Sequence, residues 1–202
     1  MTWNDISLDK FNDIKEFLLD PKYTEEDKLL YEISILFDIP DPSKLKMPEI
    51  NYYIQQLKFL DEQIPNMKLQ DHYDLGGTRY ILKKDLKDIT VAQWLDWQNL
   101  LKNGGDSDNY KNLLSVFLIP DGQSEYGDGY DIENVRSDIG KFLSIPDAMS
   151  IAAFFLDYQK ASAINFLLYT IRQTRKLPIP KKKKREMKKA LLKSIKEVIL
   201  GV

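Results

Sequence analysis

The stretch SIPDAMSIAAFFLDYQKASAINFLLYTIRQTRK, residues 144–176, constrains the fold more than any other part of the chain. A helix over residues 147–175 would be roughly 40 Å long at ~1.5 Å per residue, enough to cross a small domain. Its apolar residues, Ala152, Phe155, Leu156, Ile164, Phe166, Leu167 and Ile171, point in most directions around the axis. Asp157, Gln159, Lys160, Asn165 and Gln173 interrupt them. Such a rod is expected to be buried, with neighbours on several sides. Its longest charge-free apolar run covers only residues 151–156. That is far short of the ~20 residues a bilayer needs, so no membrane span is expected.

The neighbours are legible as further helices. Ser7 or Asp9 can cap a first helix with Leu8, Phe11, Ile14, Phe17 and Leu18 at 3/4 spacing, stopped by Pro21. Thr24 precedes Glu25, Glu26 and Asp27, placing a hydroxyl and acidic groups where a helix start needs them. A proline-rich linker over residues 38–48 leads to a third helix over residues 49–63. The period then changes: residues 67–82 read as a β-hairpin turning at Gly76 and Gly77. Two strands alone are marginal in water, so the hairpin must lie on the helical body or pair with another chain.

Thr90 and Gln93 form a capping box for a helix that stops at Asn103, Gly104 and Gly105. Asp108 can cap the next, whose apolar residues Leu113, Leu114, Val116, Phe117 and Leu118 run into Pro120. A short helix over residues 132–142 follows. Ser144 and Pro146 suit the start of the long helix, and Pro178 and Pro180 separate it from the last one. The fold expected is mainly α: a multi-helix bundle around the long buried helix at about 147–175, with one β-hairpin at about 67–82. Its divisions are an N-terminal helical subdomain (1–63), a hairpin plus helical core (64–177) and a basic amphipathic C-terminal helix (178–202).

Several function classes are disfavoured by what the chain lacks. Without Cys there are no disulfides, thiolate nucleophiles or Cys-based metal sites. The opening MTWNDISLDKFNDIKEF has neither a basic n-region nor an apolar h-region, so no secretory signal is expected. Asp121, Glu125, Asp128 and Asp131 offer oxygen ligands between glycines, but Ile132 stands where an EF-hand loop needs Glu, and the same residue types make ordinary turns. His72 is the one histidine; Ser115, Ser124 and Ser137 lie in nothing like a nucleophile elbow, and no phosphate-cradling loop is present. The expectation is a protein that is not an enzyme and carries no cofactor and no metal.

Two features point instead to binding. Trp94 and Trp97, three apart in one helix, suit core or a partner interface; core is expected for one, and the other is open. The net charge of −2 hides an asymmetry: residues 172–202 hold twelve of the 29 Lys and Arg but two of the 31 Asp and Glu. The chain is an acidic body with a basic end. In that end Met187, Leu191, Ile195 and Val198 fall on one helix side, and Lys181, Lys182, Lys183, Lys184, Arg185, Lys188, Lys189 and Lys193 are the candidate contacts. This segment can be a solvated helix, dock in a partner's groove, contact nucleic-acid phosphates such as those of DNA, lie on anionic lipid, or dock on the acidic body of its own or another copy.

The segments YILKKDLKDITVAQWLDWQNLLK, NLLSVFLIP, EYGDGYDIENV and LSIPDAMSIAAFFL, within residues 80–168, resemble proteins of tailed bacteriophages and prophages of gut Bacteroidetes, including crAss-like phages. Their order is also similar to that of small tail-assembly chaperones: a hairpin, a T-[VL]-x-[QE]-[WF] helix start, then paired helices. The resemblance implies a non-enzymatic phage morphogenesis or virion protein, a chaperone or a tail or cargo component. Its implied partners are phage structural proteins and a second copy of itself, in the host cytoplasm during assembly or in the virion. It transfers no functional residue and leaves the first sixty-odd residues and the basic end unaccounted for. The alternative is a nucleic-acid-associated module using the basic segment.

Overall fold

The computed structural model describes residues 1–85, 88–102, 107–123, 130–174 and 180–200. The chain is mainly α-helical with one small antiparallel sheet. In order it forms α1 (Leu8–Leu19), α2 (Glu25–Phe37), α3 (Met47–Leu57), β1 (His72–Leu75), β2 (Thr78–Leu82), α4 (Val91–Lys102), α5 (Ser107–Ser115), β3 (Leu118–Pro120), α6 (Ile132–Phe142), α7 (Ile145–Thr174) and α8 (Lys181–Leu200). Short 3₁₀ turns precede α1 and α3 and follow α3. The stops expected at Asn103, Gly104, Gly105 and Pro178 lie outside the described residues.

Helix starts follow the capping chemistry in the sequence. Ser7 Oγ accepts from the Lys10 amide, and Thr24 and Asp27 close a reciprocal capping box on α2. The α2 carboxyl end turns through Asp38 in the left-handed region (φ 54°). Lys10 Nζ crosses from α1 to donate to both the Leu36 carbonyl and the Asp38 carboxylate there. The hairpin turns at Gly76 and Gly77, both at positive φ, where a side chain would be strained. Alternation puts Tyr73, Leu75, Tyr80 and Leu82 inward.

The hairpin gains its third partner from a segment expected to be helical. α5 ends at Ser115, and Leu118–Pro120 pairs antiparallel with β2, Ile119 opposite Ile81. Ser115, Val116, Phe117 and Leu118 are all buried, so this run has no polar side for a helix to present. A short extended segment satisfies its backbone on β2 instead, and Lys83 donates to the Phe117 carbonyl beyond the ladder.

Contacts divide the chain into two compact units, Met1–Ala152 and Ala153–Val202. The boundary between these units falls inside α7. The first sixty-odd residues belong to the first unit for identifiable reasons. Leu8 donates to the Leu143 carbonyl and Ile145 to that of Ile6, clasping the amino terminus to the α6–α7 junction. Asp9 pairs with Lys111 between α1 and α5, and Trp3 Nε1 donates to the Glu62 carbonyl.

The long helix is present, but it is not enclosed along its length. Ile145, Ala148, Ile151, Ala152 and Phe155 are buried, as is Ile171, whereas Leu156 and Leu168 are 37% and 40% exposed. At roughly 100° per residue Phe155 and Ile171 lie on nearly opposite sides of α7. All-round apolarity in the sequence is thus the sum of two faces used at different heights. No helix among the described residues is long and apolar enough to cross a membrane.

Candidate interaction surfaces

α4 is fixed to the first unit by one glutamine and one tryptophan. Gln93 Oε1 accepts from the Thr90 amide and Thr90 Oγ1 from the Gln93 amide, closing the expected capping box. The same Gln93 side chain donates through Nε2 to the Val116 carbonyl at 2.8 Å, in a buried position. An amide can accept at one end and donate at the other, which a carboxylate cannot do. Trp97, at 0% exposure, meets Phe117 edge to face at 5.4 Å. Trp97 is therefore a core residue, as expected for one of the pair, and drops out of the candidate surface contacts.

The other side of α4 is open. Val91 is 76% and Leu95 55% exposed, and Trp94, half-buried and at right angles to Trp97 with centroids 5.0 Å apart, lies on that side with them. One turn separates Val91 from Leu95, so the three side chains form a short apolar strip on a helix held from behind. Periodicity placed Trp94 here but gave no warning that Val91 and Leu95 would be left bare.

On α8 the basic and apolar residues separate as the amphipathic pattern requires. Ile195 is buried, while Lys184, Met187 and Leu191 are half-buried; the side chain of Val198 lies outside the described residues. Lys181, Lys182, Lys183, Arg185, Lys188, Lys189 and Lys193 are exposed, as is Lys196. Of the candidate cations, Lys184 alone is drawn toward the covered side.

The acidic loop does other work where it is described. Asp131 caps α6, accepting from the Asn134 amide at 3.1 Å and the Asn134 side-chain Nδ2 at 2.6 Å. Glu125 and Asp128 lie outside the described residues. Asp138, on the next turns of α6, accepts from the buried Tyr80 hydroxyl at 2.6 Å. Burial, then the Asp138 hydrogen bond, hold the Tyr80 phenol protonated well above the usual range. Tyr130 is shifted the same way by burial, and its hydroxyl donates to the Ser115 carbonyl at 2.8 Å. An open cleft of about 300 Å³ borders Tyr80, Asp131 and Asp138, but these carboxylates already serve the fold.

His72 is exposed on β1, and the acids beside it are engaged elsewhere. Asp71 meets Lys84 at 2.7 Å and Asp74 meets Arg79 at 2.8 Å. Each partner's hydrogen bond holds its carboxylate below the ordinary range. Among the described residues no three His or acidic side chains are grouped to hold a metal. Comparison with protein-family models, with curated proteins and with solved structures finds no match to this chain.

Proposed function

We propose that this chain is a non-enzymatic assembly or virion protein of a tailed phage, and that it works by presenting the exposed side of α4 to another phage protein. The observation that carries the reading is the pairing of a locked rear face, Gln93 and Trp97, with a bare front face, Val91, Trp94 and Leu95. A rigid backing lowers the ordering cost of binding, and a clustered aromatic and aliphatic patch is the composition of an interface hot spot. The strip also falls within the segment that resembles phage proteins.

The partner class is a phage structural protein with a complementary apolar surface, or a second copy of the chain. It is met in the host cytoplasm during assembly or in the particle, whether the chain acts as a tail-assembly chaperone or as a tail or cargo component. Duplex nucleic acid is a separate partner class that belongs to α8. Affinity capture from phage-producing cells tests the reading. Portal, tail or capsid proteins are expected with the wild-type chain and are lost with Leu95→Asp. Capture of host metabolic proteins alone contradicts it.

A further inference from the structure

The sequence presents α8 as a helix with lysines spread over most of its surface; the structure sorts them. Lys181, Lys182, Arg185, Lys188, Lys189 and Lys196 are all exposed. At roughly 100° per residue they fall within about a third of the helix circumference. That face is about 22 Å long at ~1.5 Å per residue. None of the six forms an ion pair among the described residues. Within the same arc Leu192, 42% exposed, is the one apolar side chain over residues 181–196.

We propose that this face of α8 binds the phosphate backbone of duplex nucleic acid, without reading sequence. A protein partner needs desolvated aromatic or aliphatic anchors at the centre of its interface, and here the stripe Met187, Leu191 and Ile195 is turned to the covered side. Bases in a single strand are held by aromatic platforms, and the helix has none. Lipid insertion needs an apolar face in the acyl boundary, which one leucine among six cations does not supply. A row of flexible point charges matches a closely spaced line of phosphates, whose affinity comes from counterion release.

The test is fluorescence anisotropy of the full chain with two labelled duplexes of about 20 base pairs and unrelated sequence. Equal affinities are expected for the two, falling about 10²- to 10³-fold between about 50 and 200 mM salt if about four to six phosphates are neutralised. The variant Lys181→Gln/Arg185→Gln/Lys188→Gln/Lys189→Gln loses binding at least about tenfold at low salt and flattens the salt slope. A control with the same total charge, Lys15→Gln/Lys58→Gln/Lys68→Gln/Lys141→Gln, changes four exposed lysines of the first unit and keeps binding. Lys181→Arg/Lys188→Arg/Lys189→Arg also keeps it, which separates loss of charge from loss of the helix. Equal losses in the two glutamine sets overturn the proposal. So do salt-insensitive binding, and tighter binding to polyglutamate or to phosphatidylserine vesicles than to the duplexes.

Discussion

At the scale of single residues, Gln93 shows how one side chain can do two jobs that its nearest isostere cannot. A helix-start pattern that accepts either Gln or Glu treats them as equivalent, because both reach back to the capping amide. Here the far end of the side chain must also donate to the buried Val116 carbonyl. Gln93→Glu is expected to destabilise the protein by about 1–3 kcal/mol, since it turns a carboxylate oxygen toward the buried Val116 carbonyl, which loses its donor. Chemical denaturation at neutral pH measures it, and a loss no larger than that of an exposed Gln→Glu change contradicts the account. Glu32, half-buried on α2, carries a pH prediction. Burial, then the charges of Glu25 and Asp61, raise its carboxyl above the ordinary value. The folded state therefore holds that proton more tightly than the unfolded state, and ionised Glu32 opposes folding. Its stabilising contribution is full below the ordinary carboxylate range and is lost as pH rises through the raised value. Glu32→Gln should raise Tm at about pH 7 and lose that advantage by about pH 4. A gain that grows on acidification has the wrong sign.

At the scale of elements, the close approaches decide what propensity cannot. Gly140 lies inside α6, where alanine would ordinarily add about 1 kcal/mol. A Cβ there would collide with the Asp9 carboxylate of α1, which pairs with Lys111 of α5. Gly140→Ala is accordingly expected to forfeit that gain in a urea titration, leaving stability within about 1 kcal/mol of wild type, because the Asp9 side chain must swing away and give up Lys111. A stabilised variant shows that propensity outweighs the contact. The same distinction explains what was legible in the chain. Ser7, Thr24, Thr90 and Ser144 announced their helices because capping is local chemistry within three residues. The hairpin was legible because its turn needs two successive residues at positive φ, which a Gly-Gly pair supplies without strain. Strand β3 was not, because Leu118–Pro120 is extended on account of an edge supplied by β2 some forty residues earlier, and nothing in its own spacing records that. On α7, a period count summed over thirty residues merged two buried faces into one apolar rod.

At the scale of the whole molecule, the chain separates its tasks. The first unit closes on itself through the Leu8–Leu143 and Ile145–Ile6 backbone pairs and the Met67–Ser150 contact, which tie distant segments of sequence together. The first two of these ties join backbone groups and leave no side-chain signature in the sequence, and the third rests on one serine hydroxyl. Charge segregation, by contrast, was legible from residue counts alone, and the structure adds which lysines share a face. The candidate protein-binding surface was half legible: a tryptophan pair marked α4, but only packing distinguishes the buried Trp97 from the strip formed by Val91, Trp94 and Leu95. The most direct test of that strip is a photo-crosslinking amino acid placed at position 95 in phage-producing cells, with position 52 on α3, equally exposed in character, as the comparison. Crosslinks to a phage structural protein, or to a second copy, from position 95 and not from position 52 are the predicted result; crosslinks from position 52 with none from position 95 would contradict it.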